Sequence, residues 1–211
     1  MRVALISVHG DPNLQAGGKD AGGMNIYIRE VVEKLSLSGV KVDVFTRDHD
    51  RKNEIEAHQS KLNVKYIKAG DNSLDKIGIY NHIDEFVEGV DNYRIQNNLK
   101  YDLIFAHYWL SGSASLKLKK IWDVPVITTF HTMQEIKQEA FPYNTDDPQR
   151  QAQEKLISQE SDGVVVWSEH EKNFIQSKYN VISKNIHIIP PGVDLELFQP
   201  TDKELARREI N

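Results

Sequence analysis

The sequence contains no cysteine, which excludes a disulfide scaffold, a thiolate metal site and a cysteine nucleophile at once. It contains no apolar run near the roughly 20 residues needed to cross a bilayer. Its opening, Met1-Arg2-Val3-Ala4-Leu5-Ile6-Ser7-Val8, is too short for a signal peptide and reads as a buried strand. There is no basic run either. Lys and Arg number 26 against 31 Asp and Glu, a formal net charge of −5, and that balance argues against nucleic acid or an anionic membrane as main partner. With 12 glycines and 7 prolines in 211 residues the chain is not of low complexity, and it shows no internal repeat. The G-x-G-x-x-G, Walker, H-E-x-x-H and G-x-S-x-G motifs are all missing, so dinucleotide, P-loop, zinc-protease and esterase readings fail on their own signatures. The expectation left standing is a soluble, cytoplasmic α/β domain whose 39% hydrophobic residues suffice for one core.

What is present alternates. Short apolar, β-branched runs at Val3–Val8, Val40–Thr46, Val64–Lys68, Leu103–His107, Val124–Phe130, Gly163–Trp167 and Ile186–Ile189 predict seven strands. Between the first two, Ile28, Val31, Val32 and Leu35 recur at the spacing of one helix face within 24–38, and Gly39 stands where a helix-ending glycine belongs. Ile83, Phe86, Val87 and Val90 repeat the pattern, and helices are expected over 111–121, 149–160 and 171–179. Strand and helix in alternation, with near-continuous apolar strands, imply a Rossmann-like parallel sheet of about seven strands with helices on both faces. Residues 48–62, 70–78 and 132–148 resist the rhythm and are read as loops.

In such a sheet ligands bind beyond the carboxyl ends of the strands. Three of those ends carry histidine: His9, His107 and His131. A single strand-end histidine is unremarkable, but three at one edge suit a polar pocket. The first connection holds Gly17-Gly18 and Gly22-Gly23 just before a helix, where unpaired amides and the positive end of the dipole favour an anion. Tyr108 and Trp109 are read equally as sugar-stacking or core aromatics, Ser111-Gly112-Ser113 as a helix opening, and Lys76 and Arg150 as solvated surface on their own.

The run Asp20-Ala21-Gly22-Gly23-Met24-Asn25-Ile26-Tyr27-Ile28, preceded by Ser7-Val8-His9-Gly10, resembles the N-terminal domain of family-4 retaining glycosyltransferases of the GT-B architecture. Ala106–Gly112, Phe130-His131-Thr132-Met133 and Ile189–Asp194 match in the same order. The resemblance is strongest to the branch that glycosylates inositol phosphate, with sucrose-phosphate synthase as a related one; Gly10-Asp11, Ala16 and Phe130 depart from that branch. The resemblance implies acceptor contacts from His9, Asp20, Ala21, Gly22, Gly23, Met24, Asn25, Lys76, Tyr108, Thr132 and Arg150. It implies donor contacts from Gln15, Ala16 and Gly23, and places His131 at the donor sugar near the reacting centre. No metal and no cofactor are implied, a UDP- or other NDP-sugar being the co-substrate.

The same resemblance makes residues 1–190 the acceptor-side domain. Pro190-Pro191-Gly192 then stops the last strand, and Thr201–Glu204 reads as a capping box opening a helix of two turns. Residues 191–211 are accordingly expected to be a linker and the start of a C-terminal, donor-binding domain. Two other readings stay open: a non-catalytic sugar-phosphate-binding module, and a metal-dependent hydrolase built on His9, His107 and His131.

Overall fold

The computed structural model describes residues 1–14, 17, 22–49, 62–141 and 147–210. In chain order it comprises β1 (Arg2–Ile6), α1 (Gly23–Leu37), β2 (Lys41–Arg47), β3 (Val64–Ile67), α2 (Lys76–Tyr80), α3 (Ile83–Gln96), β4 (Leu103–His107), α4 (Trp109–Trp122), β5 (Val126–Thr129), α5 (Gln134–Ala140), α6 (Pro148–Glu160), β6 (Gly163–Val166), α7 (Glu169–Tyr179), a 3-10 turn (Ser183–Asn185), β7 (Ile186–Ile188) and α8 (Lys203–Ile210). The strands form one sheet in the order β3-β2-β1-β4-β5-β6-β7, and every neighbouring pair is parallel. The order reverses between β1 and β4, which are hydrogen-bonded side by side with Ile6 opposite Ala106. That reversal opens a crevice at the carboxyl ends of these two strands, the place where doubly wound sheets bind ligands.

Residues adjacent along a strand point to opposite faces, and the core divides accordingly. Leu5 and Val44 pack with Ile28 and Val32 of α1 on one face. Ala4, Ile6 and Phe45 join Phe86 and Val90 of α3, Leu110 and Ala114 of α4, and Ile157 of α6 on the other. α1 stops where the sequence predicts: Gly39 takes φ +81°, its amide donates to the Ser36 carbonyl, and that of Val40 reaches back to Leu35.

Three expectations are corrected. Helix α2 begins inside the stretch 70–78 read as a loop, because the Asp75 carboxylate accepts from the Gly78 amide and caps it. Helix α5 lies inside the 132–148 insertion, where Met133 and Gln134 are buried against the core; hydrophobic contact at the start of a polar heptapeptide is too short a signal for periodicity to catch. Helix α8 is capped by Asp202, whose Oδ1 accepts from the amides of Glu204 and Leu205, whereas the Thr201 hydroxyl donates to the Gln199 carbonyl. The polar stretch after Asp48 falls largely outside the described residues.

One contact sets the spacing of the helices that carry the site. A Cβ on Gly112 of α4 would lie 2.8 Å from both Cδ1 and Cγ2 of Ile157 on α6, so the missing side chain allows the two helices to touch. Gly112→Ala is expected to destabilise the fold by about 1–3 kcal/mol through overpacking, read as a lower urea midpoint at unchanged slope. Combining it with Ile157→Ala, which vacates the space, should cost less than the sum of the two single changes.

Candidate functional site

Where β4 ends, the backbone turns at Tyr108 with φ +78° and ψ 163°, a conformation that hard-sphere repulsion denies to most residues with a Cβ. The turn is held from both sides. The Tyr108 amide donates to the Thr129 carbonyl at 2.8 Å, and its own carbonyl accepts from the Gly112 amide at 2.9 Å. The ring then meets side chains from three other segments. The His9 ring, beyond β1, is 4.5 Å away between centroids. Lys76 Nζ, at the start of α2, lies 5.3 Å from the Tyr108 centroid, and the Arg150 guanidinium, in the first turn of α6, lies 4.9 Å from it. Each cation–ring contact is worth about 0.5–2 kcal/mol, which offsets part of the repulsion between two positive charges held around one ring. An anion there would offset more. His9 and Lys76 also line a cavity of about 530 Å³ whose far wall bears Arg47, His49, Asn72 and Ser73, within the size range of small-molecule sites.

Arg150 is aimed by its surroundings. Asp147 caps α6 through the Arg150 amide, and Pro148 in the first turn presets the helical φ. One helical turn on, Glu154 is wholly buried and its Oε1 accepts from Arg150 Nε at 2.6 Å; its Oε2 accepts from the Gln134 amide at 2.8 Å. Burial pushes the Glu154 carboxyl above its ordinary range, with Arg150 opposing the shift. Arg150 Nη2 donates to the Thr132 carbonyl at 2.8 Å, so a single guanidinium joins α6 to the loop after β5.

The next strand ends hold a different chemistry. His107, the last residue of β4, is completely buried, and its Nδ1 lies 3.0 Å from Nε2 of His131. His131 takes φ +61°, and the Thr132 amide donates back across it to the Phe130 carbonyl at 2.7 Å, a three-residue turn of the rarer, strained hand. Tyr27 of α1 packs its ring 5.2 Å from that of His131, nearly perpendicular, and Trp167, just past β6, lies 5.3 Å from His131. Burial lowers His131 to about 4 and holds His107 well below its ordinary value. Burial, helped by Lys76, lowers His9 to about 3. All three imidazoles are therefore neutral at pH 7, while Lys76 and Arg150 supply the charge.

The sequence profile of Glycosyltransferase Family 4 matches residues 21–197. The chain belongs to that family. Two curated relatives, both named D-inositol 3-phosphate glycosyltransferase, are 35% identical in Nocardiopsis dassonvillei, over 99% of this chain and 50% of the relative, and 34% identical in Corynebacterium aurimucosum, over 100% and 52%. The chain thus spans about half the length of the curated relatives it matches. Among solved structures, sucrose-phosphate synthase from Thermosynechococcus elongatus superposes with a TM-score of 0.82 at 31% identity, over 99% of this chain and 52% of that one. Anabaena HepE, solved with UDP-glucose, shares the fold at a TM-score of 0.63 and 16% identity, over 100% of this chain and 49% of that one. The seven-stranded parallel sheet is that of GT-B N-terminal domains.

Within this Family 4 domain the structure gathers His9, Lys76, Tyr108, Thr132 and Arg150 into one group and seats His131 against His107. Gln15, Ala16, Asp20 and Ala21 lie outside the described residues. Gly22 and Gly23 are exposed at the start of α1, and Met24 is partly buried, its methyl occupying the space that a Cβ on Gly10 would need. Asn25 is turned into the protein. It is buried, its Nδ2 donating to the Asp11 carbonyl at 2.6 Å and its Oδ1 accepting from the Gly22 amide, so its amide holds the turn after β1. Trp109 is completely buried core; Tyr108 belongs to the same core cluster and in addition meets His9, Lys76 and Arg150 with its ring. Among the described residues no three His, Asp or Glu side chains are grouped as a metal-binding set.

Three participants escape the sequence reading. Asp11 is wholly buried and pairs with His49 Nε2 at 2.8 Å, fixing a side chain of the cavity wall. Tyr27 was counted only as part of a motif. Trp167 follows β6 as His131 follows β5, a strand-end position that a search confined to histidines passes over.

Two outcomes test this geometry. Glu154→Ala leaves the buried guanidinium of Arg150 without its carboxylate and is expected to lose about 3–5 kcal/mol of stability, measured by urea unfolding. The depressed imidazoles also set a pH dependence. Below about pH 6.5 the unfolded chain takes up protons that His9, His107 and His131 refuse in the fold, so stability falls as pH drops towards 4; Glu154, shifted the other way, opposes this. His131→Gln should flatten the slope of unfolding free energy between pH 6.5 and 5.

Proposed function

We propose that this chain is the acceptor-side half of a retaining, NDP-sugar-dependent glycosyltransferase that moves a hexosyl unit onto a phosphorylated polyol or sugar. The observation that carries the reading is the convergence of Lys76, Arg150 and His9 around the Tyr108 ring, with His9 and Lys76 also lining a cavity. A phosphate dianion entering there gains two charge-assisted partners, and Arg150 offers the fork geometry that phosphate oxygens accept. Thr132 and Tyr108 supply polar atoms for the hydroxyls. Family membership supports the reaction class, and the names of the curated relatives support the phosphorylated acceptor.

On the donor side, Gln15, Ala16 and Gly23 approach the nucleotide sugar, and His131 touches the transferred hexose. The first amides of α1 meet the negative charge that grows on the leaving diphosphate, which makes a metal unnecessary; the UDP-glucose held by HepE supports UDP-sugar as donor class. Attack and departure on one face of the sugar need no protein nucleophile. Residues 1–190 form this domain, and 191–211 lead to a donor-binding domain that completes the cleft. Two facts support that division: the curated relatives are about twice as long, and Val193, Leu195, Leu197 and Phe198 are exposed. The domain alone is then inactive. No helix among the described residues is long and apolar enough to cross a membrane, and we place the enzyme in the cytoplasm.

Calorimetry with inositol phosphate, fructose 6-phosphate and their unphosphorylated parents tests the acceptor side. Lys76→Ala is expected to weaken the phosphorylated ligand roughly 10- to 100-fold, the loss of one charge-assisted bond of about 1.5–3 kcal/mol, and to leave the parent nearly unchanged. Equal losses for both would refute the phosphate role. A full-length protein that consumes no nucleotide sugar with any of these acceptors would leave a binding module in place of an enzyme.

A further inference from the structure

The contact between His107 and His131 contains a choice of protons. A neutral imidazole carries one N–H and one lone pair, so the 3.0 Å approach of His107 Nδ1 to His131 Nε2 is a hydrogen bond in one of two senses. If His107 donates, its own Nε2 is bare and His131 carries its proton on Nδ1. If His131 donates, its Nδ1 is bare and His107 carries a proton on Nε2. Both outer nitrogens are buried and have no partner, so each sense leaves one N–H and one lone pair unmet. The senses differ in where the N–H falls, and an orphaned buried N–H is the rarer defect in folded proteins.

The surroundings of the two rings decide between them. His107 is completely buried, and its aromatic neighbours, Phe105 at 4.3 Å and Tyr27 at 5.9 Å, are only tilted to it, at 51° and 57°, whereas an in-plane N–H meets a ring face when the two planes are perpendicular. His131 stands beyond its strand and keeps partial exposure. It has the ring of Tyr27 nearly perpendicular at 5.2 Å and that of Trp167 likewise at 5.3 Å, and aromatic faces are weak acceptors for N–H. The N–H therefore belongs on His131. The turn with φ +61° and the Thr132–Phe130 hydrogen bond anchors the backbone from which that ring projects.

We infer that His107 is a positioning residue that fixes His131 as its Nδ1–H tautomer, so that a sugar hydroxyl engages this ring only at its Nδ1 edge and meets a hydrogen-bond donor there. The inference takes from the transferase reading only the assignment of His131 to the transferred sugar. The tautomer itself is a property of the unliganded chain.

Long-range proton–nitrogen NMR of the ¹⁵N-labelled chain at pH 7 reads it directly. Among the eight histidines, the His131 ring is identified as the signal set missing from His131→Gln. The expected result is a protonated, pyrrole-type Nδ1 and a bare, pyridine-type Nε2. His107→Asn places an amide where Nδ1 was, and its N–H should preserve that signature; His107→Leu removes the donor and should shift His131 to the Nε2–H form. A pyrrole-type Nε2 on His131 in the unaltered chain overturns the inference, and this arm needs no variant of His107 to fold. An unchanged His131 signature in a folded His107→Leu chain overturns it too. Because no donor or acceptor is added, these shifts stand or fall apart from turnover: absence of sugar transfer in the full-length protein would defeat the proposed function and leave the tautomer assignment intact.

Discussion

The site depends on one aromatic ring that accepts positive charge on its flanks. Tyr108 reaches that place because the chain turns after β4 with a positive φ, a strain of about 1–3 kcal/mol offset by hydrogen bonds from both neighbours of the turn. The cations come from α2 and α6, distant in sequence, and Tyr108 gives them a common reference surface at the one point where the sheet order reverses.

Around that ring the protein divides its electrostatics. Fixed charge is confined to Lys76 and Arg150, with Glu154 behind the guanidinium to orient it. The imidazoles of His9, His107 and His131 stay neutral because burial denies them protons. A phosphate and an uncharged hydroxyl array demand different partners, long-range attraction for the first and directional hydrogen bonds for the second. Helices α2 and α6 supply the charges, and the strand ends supply the neutral rings. Desolvation is the main cause of the separation, and the charges of Lys76 and Arg150 add to it at His9.

Much of the fold was legible in the residues. The β-branched runs located all seven strands, and Ile28 and Val32 located the face of α1, because both signals are periodic and long. Helices α2 and α5 were not legible: five and seven residues fall below the length at which periodicity speaks, and α2 rests on the Asp75 cap while α5 begins at an amide fixed by Glu154. At the site, Lys76, Tyr108, Thr132 and Arg150 were nameable from motifs and are gathered as a group. Asn25 was nameable and is turned inward, since a side-chain amide satisfies a backbone carbonyl as readily as a ligand. The Asp11–His49 pair joins residues 38 apart in sequence, and nothing local announces such a contact.

The bare backbone at Gly112 has a consequence for how such a domain can diversify. With α4 and α6 pressed together there, the distance between Tyr108 and Arg150 is set by the rigid body, not by any loop. The connection between β3 and α2, which leads to Lys76, is clamped as well: a Cβ on Gly70 would lie 2.7 Å from His82 and Leu74, the Gly70 amide donates to Glu85, and Arg47 donates to the carbonyls of Ala69 and Asp71. A change in the length of that connection would therefore shift Lys76 and alter the separation of the two cations about the Tyr108 ring.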